Sequence, residues 1–221
     1  MSATGSTAPA SEPPRDRIRA LLERFPTVAP PTPLAGAAVL IVLREGAREI
    51  ETLLIERSNR PDDLASGQIA LPGGHVQAGD RSLAETALRE CAEEVGIRPG
   101  DLRSVPRFVG IETARAYSMD VAVFAAELGS PAPGPTVYSP EEVASIFWLP
   151  RSALDRSERV MRPTTFGAIE VPAVRYADHV LWGFTRRLLL NFFGLPIDSQ
   201  EEPAVRGAPP GADLSGAHWP G

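Results

Sequence analysis

Apolar residues recur at helical spacing most clearly between positions 83 and 95, where Leu83, Ala84, Ala87, Leu88, Cys91, Ala92 and Val95 share one face at about 100° per residue. Both ends of the run are punctuated. Ser82-Leu83-Ala84-Glu85 fits a capping box, in which the Ser hydroxyl serves an orphan backbone N–H, and Gly96 fits a C-terminal stop. A helix over 83–95 is predicted, its apolar face turned inward. Similar spacing of Ile18, Leu21, Leu22 and Phe25 predicts a short amphipathic helix over 16–25, followed by a Pro-rich linker. Residues 179–193 carry the spacing of a closing helix, with Arg186 and Arg187 on its wetter side.

Aliphatic runs at 37–43 and 50–55, separated by the turn-like Arg44-Glu45-Gly46, read as a hairpin. A further strand is expected at 68–71 and ends at Pro72-Gly73-Gly74, because Pro and two Gly disfavour continued pairing. Strands follow at 107–112, 121–128 and 145–149, and a last hairpin at 163–174. The Pro-rich loop 129–140 reads equally as a lid over a cleft and as a plain strand connection. Both ends of the chain are rich in Pro, Gly and Ala without periodicity. We therefore divide it into an N-terminal tail with a short helix (1–33), one domain (34–196) and a disordered C-terminal tail (197–221).

Charge narrows the partners. All 22 basic residues are Arg, and 28 Asp and Glu bring the net charge to -6, so no basic surface is available for nucleic acid. An anionic small molecule would have to be held locally, by metal and a few Arg, against the field of the whole protein. A single Cys91 leaves no internal disulfide, and no Cys/His set has zinc-ligand spacing, which points to a reducing compartment. The N-terminus lacks the apolar run of a signal peptide, and the apolar stretch 35–43 falls far short of the about 18 residues of a membrane span. The expected setting is soluble and cytoplasmic, with no membrane partner.

Candidate chemistry lies beside the apolar face of the 83–95 helix. Glu90 and Glu94 stand one turn apart with Glu93 next to them, so the three carboxylates are expected to converge on one volume. None has a basic residue three or four positions further along the helix to neutralise it. Hard divalent ions prefer oxygen ligands, and a glutamate trio without thiolates fits a site for Mg²⁺ or Mn²⁺. Cys91 falls on the apolar face as a packing residue, and His75 has no partner set. Asp80 reads either as a helix cap or as an acid belonging to the site.

The pattern Gly74-x5-Asp80-x8-Arg89-Glu90-Cys91-Ala92-Glu93-Glu94-Val95-Gly96-Ile97 closely resembles the Nudix box, with Asp80 where that box has Glu and eight residues where it has seven. Leu53-Leu54-Ile55-Glu56-Arg57-Ser58 and Ser66-Gly67-Gln68-Ile69-Ala70-Leu71-Pro72-Gly73-Gly74 are similar to the signature of the coenzyme A pyrophosphatase branch of that family. The resemblance implies an α/β (α+β) Nudix fold, a mixed sheet sandwiched between helices. It also implies a pyrophosphatase in which Glu90, Glu94 and the Gly74 carbonyl ligate metal, and Glu93 ligates a further ion or helps activate water. Arg89 would orient a catalytic glutamate; which glutamate is the base stays open. Gly73, through close backbone approach, and Arg57 are candidates for substrate binding. The implied substrate is coenzyme A or acyl-coenzyme A, with ADP-ribose, NADH or an oxidised nucleotide as alternatives and a non-catalytic nucleotide sensor as another. Homodimerisation is an expectation carried by the family alone.

Overall fold

The computed structural model describes residues 17–27, 35–60, 66–114, 118–130, 134–137, 139–164, 167–197 and 204–205. The tail 1–16, most of the Pro-rich linker and nearly all of the expected C-terminal tail lie outside them.

A seven-stranded mixed sheet forms the centre. Strand β1 (Ala37–Glu45) runs parallel to β6 (Met119–Glu127) over its length, and β6 is flanked by the antiparallel β5 (Arg107–Ala114). On its other side β1 pairs with β2 (Ile50–Arg57) only through Leu43, Arg44 and Glu45, beside the turn. Beyond that point the two strands part. The fork is filled by β3 (Ile69–Ala70), which pairs with Ile55 and Glu56 of β2, and β4 (Gly73–His75), which pairs with Ala37, Ala38 and Val39 of β1. Pro72, between them, accepts a hydrogen bond from the Leu40 N–H at 2.9 Å. Strand β7 (Val143–Pro150) closes the outer side of β2.

Helices cover both faces, which is why β1 reads as a continuous apolar run instead of an alternating one. On one face α2 (Leu83–Val95) packs Ala87, Cys91 and Val95 against Ala38, Leu40, Leu53, Ile55, Ala122 and Phe124. On the other, α1 (Arg17–Leu22) and α3 (Gly183–Phe193) bury Ile18, Leu22, Leu188, Leu189 and Phe192 over Ile41, Leu43, Leu54 and Val123. The expected mixed sheet between helices is the fold observed. The α1 helix, assigned from sequence to the tail, is part of the core. No described helix is long and apolar enough to cross a membrane.

A second sheet of β8 (Glu158–Thr164), β9 (Gly167–Tyr176), β10 (His179–Trp182) and β11 (Ala204–Val205) stands beside the first. It corrects three expectations. His179–Trp182 is strand, not the start of the closing helix: Ala177, at φ 50°, turns the chain back so that Tyr176 pairs with His179, and the His179 ring stacks on Phe147 at 3.9 Å. Arg186 is 3% exposed, not on the wet side, and its Nη2 reaches Ser157 Oγ at 3.0 Å. Within the expected disordered tail, Ala204 and Val205 pair with Glu170 and Ile169 of β9.

Candidate active site

Two glycines decide where the site sits. The sequence placed Pro72-Gly73-Gly74 at the end of a strand, yet Gly73 and Gly74 belong to β4, inside the fork and under α2. Gly73 has φ 156°, and a Cβ there would stand 2.4 Å from the Ala38 carbonyl oxygen. At Gly74 a Cβ would stand 2.6 Å from the carboxyl carbon of Glu90, in the space that carboxylate needs. Only glycine lets backbone and acid approach so closely.

The helix is set by its ends as expected. Ser82 Oγ accepts from the Glu85 N–H at 3.2 Å, and Gly96 closes the C-terminus in left-handed backbone. The return half of the capping box departs from the sequence reading: the Glu85 carboxylate accepts from the Arg81 N–H at 2.7 Å. With its phase fixed, α2 buries Cys91, whose thiol is pushed up by desolvation and carries no nucleophilic role. Glu90 and Glu94 flank it on the side facing Gly73 and Gly74.

Glu90 and Glu94 are 8% and 2% exposed, and the Gly73 N–H donates to Glu94 Oε2 at 3.0 Å. Burial pushes the Glu94 carboxyl up to about 8, against the opposing pull of that hydrogen bond; the charge of Glu90 pushes the same way, and that of Arg57 opposes it. Glu93 points elsewhere. Its side chain is 56% exposed, and Oε2 accepts from Arg89 Nη1 at 3.1 Å, the same nitrogen that donates to Glu90 Oε1 at 2.7 Å. The expected convergence of three carboxylates is therefore corrected to an inward pair and an outward third. Accordingly, among the described residues no three His, Cys, Asp or Glu side chains form a ready-made metal cluster.

A hard divalent cation fits this donor set. Two buried carboxylates face a glycine backbone with oxygen donors only, and the ionised form of Glu94 is penalised until positive charge arrives. Arg57, at the end of β2, is near enough for its charge to act on Glu94. The Gly73 N–H is directed at Glu94, so Gly73 seats an acid and its amide is not open to a substrate. His75 is exposed, and its carbonyl accepts from Arg89 Nη2 at 3.1 Å. Asp80 does not cap α2, since Ser82 does; it pairs with Arg89.

One acid was missed. Glu142, between the loop 129–140 and β7, lies near enough to raise Glu94 further. Thr136 N–H donates to the Val95 carbonyl at the C-terminus of α2 at 3.0 Å, and Val137 packs in the α2 core. Ser58 Oγ then holds the Pro140 carbonyl at 2.7 Å and its N–H the Glu142 carbonyl at 2.9 Å, while Arg60 Nε holds the Glu141 carbonyl at 2.7 Å. Arg60 is thus a strap for this loop. No periodicity marks Ser139-Pro140-Glu141-Glu142 as part of a site; only the strap does.

The family model for the NUDIX domain matches residues 34–166. A Photorhabdus laumondii protein named as an uncharacterized Nudix hydrolase NudL is 29% identical over 184 residues, covering 76% of this chain and 91% of its own. The Citrobacter koseri protein of the same name is 37% identical over 157 residues, covering 69% and 78%. Among solved structures, the MutT/nudix family protein of Enterococcus faecalis shares the fold with a TM-score of 0.50 at 17% identity, over 76% of this chain and 63% of that one. The family's domain thus spans the forked sheet, its paired glycines and the glutamate helix together, and the chain belongs to the Nudix hydrolases, pyrophosphatases that open phosphoanhydride bonds.

Proposed function

We propose that this hydrolase cleaves the phosphoanhydride bond of coenzyme A or acyl-coenzyme A, giving 3',5'-ADP and a 4'-phosphopantetheine product. Mg²⁺ or Mn²⁺ would be held by Glu90, Glu94 and the Gly74 carbonyl. The observation that carries the metal reading is the pair of buried carboxylates against Gly73 and Gly74, one of them pushed up to about 8. The substrate reading rests on the resemblance of 53–58 and 66–74 to the coenzyme A branch.

When bound, such an ion neutralises anhydride oxygens and acidifies and positions a water. The chain's own groups prepare the rest. The Gly73 N–H orients Glu94, and Arg89 fixes Glu90 and Glu93. Glu93, exposed to water, would take the proton as water oxygen bonds to phosphorus and the bridging P–O bond breaks toward the departing phosphate. Arg57 supplies charge on the same side of the sheet, where it can offset that gathering on the phosphates.

The test is turnover with Mg²⁺ or Mn²⁺ over a panel of coenzyme A, acetyl-coenzyme A, ADP-ribose, NADH and an oxidised nucleotide, with products separated by chromatography. Coenzyme A is expected to give the highest kcat/KM; if it gives the poorest, the substrate reading fails. If nothing is hydrolysed while Glu94→Gln binds nucleotide like the parent, the chain is a sensor.

A further inference from the structure

The second sheet sends Val174 and Leu181 into the core over α3. Its other face carries charge. Paired residues share a face, so Glu158 and Arg162 of β8 stand there with Val171 and Arg175 of β9 and with Trp182 of β10. Arg162 lies opposite Ile169 of β9, yet its guanidinium carbon is 5.0 Å from the centroid of the Trp182 ring, two strands away. At about 4.8 Å per strand, the side chain has to cross β9 to reach that ring. Its methylenes therefore run over the buried Ile169 and Val171, and its charge ends on indole.

This cation lacks a counter-charge. Its Nε is buried without a hydrogen-bond partner, and among the described residues no carboxylate pairs with it. The acids of the hairpin are taken: Glu158 by Arg175 at 2.8 Å and Glu170 by Arg159 at 3.1 Å. Desolvation weakens the hold of Arg162 on its proton, and the like charge of Arg175 adds to that. An arginine that only shielded apolar strand would carry its head out to water. Arg162 is laid on a ring beside a second arginine, an arrangement that an anion from outside the hairpin would stabilise.

We propose that Arg162 and Arg175, backed by Trp182, bind a phosphate-type oxyanion at a site outside the glutamate helix. Arg175 gives its Nε to Glu158 and is 55% exposed, which leaves its Nη groups to a ligand. The two guanidinium groups come from different strands, so their donors do not share one plane. A tetrahedral oxyanion accepts from both, whereas a planar carboxylate matches one fork. With a net charge of -6 the protein as a whole repels such a ligand, so binding has to come from a local, desolvated cation of this kind. The phosphate belongs either to the nucleotide that the enzyme cleaves, remote from the broken bond, or to a separate ligand.

The test is calorimetric titration of pyrophosphate into the full chain, stripped of metal on a chelating resin, in Tris chloride at about pH 7.5, where citrate is a carboxylate control of similar charge. The parent is expected to bind pyrophosphate saturably and citrate about tenfold more weakly. Arg162→Met keeps the stem over β9 without the charge and should weaken pyrophosphate binding about tenfold or more; Arg175→Gln should weaken it about threefold or more. Arg57→Gln, beside Glu94, should change it by less than about twofold. Pyrophosphate should raise the melting temperature of the parent and not that of Arg162→Met. Turnover of the best substrate of the panel above then identifies the source: a lower kcat/KM in Arg162→Met puts the phosphate on the substrate, and an unchanged one puts it on a separate ligand. A parent without saturable binding, an Arg162→Met protein with the parent's affinity, or citrate bound as tightly as pyrophosphate each overturns the site. Should Arg162→Met not fold, the exposed Arg175→Gln decides, by whether affinity falls. A chain that cleaves nothing yet binds pyrophosphate through Arg162 loses the hydrolase reading and keeps this site.

Discussion

Replacing Glu94 by Gln in the metal-free protein is expected to stabilise it, increasingly as pH rises above about 4.5. Glu94 is 2% exposed, and burial pushes its carboxyl from 4.5 up to about 8. Between those two values the folded state holds a proton that the unfolded state has released. Stability from this group is therefore fully present below about 4.5 and is lost as pH rises through about 8, at about 1.4 kcal/mol per pH unit. The total is on the order of 5 kcal/mol. Glutamine keeps the shape, and its carbonyl can still accept from the Gly73 N–H, but it has nothing to ionise. The two proteins should melt together near pH 5. Near pH 9 the variant should melt roughly 10–20 °C higher, for a chain of this size. Metal narrows the gap: the parent gains about 2.7 kcal/mol at a Mn²⁺ concentration a hundredfold above its Kd, and the variant gains little. Differential scanning calorimetry from pH 5 to 9, with chelator and then with Mn²⁺, measures both effects. A variant that melts below the parent at every pH without metal would refute the argument, since the carboxylate would then be repaid within the protein.

Other perturbations separate site from scaffold. Gly74→Ala puts a methyl where the Glu90 carboxylate lies and should lower kcat by about 10²-fold or more, with the circular dichroism spectrum unchanged. Arg60→Ala cuts the strap to Glu141 and Glu142; these groups are exposed, so unfolding should shift by less than about 1 kcal/mol, while amide exchange at Glu142 and Val143 accelerates. Leu40→Ala, in the core between α2 and β1, should reduce stability by about 2–5 kcal/mol in urea titration. Ser82→Ala removes the α2 cap and should reduce it by about 1 kcal/mol in the same assay.

What was legible in the sequence was local. The α2 helix, from its Ser82 cap to its Gly96 stop, follows from side chains within a few residues of each other, and so does the burial of Cys91. The strands β1, β2 and β6 were found because chains that stay extended between two covered faces are apolar throughout or nearly so. His179–Trp182 was misread because a short apolar stretch fits helix and strand alike, and the deciding contacts, β9 across a two-residue turn and the Phe147 ring, come from elsewhere in the chain. Arg186 was placed in water by the same limitation, since Ser157 lies 29 residues away.

The site divides along the same line. Residue order on one helix determined that Glu90, Glu93 and Glu94 lie within a turn of each other beside an apolar face, because helical phase depends only on spacing. Their separation into an inward pair and an outward third was decided by the tertiary structure. The parting of β1 from β2 opens room for Gly73 and Gly74, and a loop strapped by Arg60 brings in Glu142. Each of these joins segments far apart in the chain, and the energy of such contacts is set by burial and packing that no local run of residues encodes.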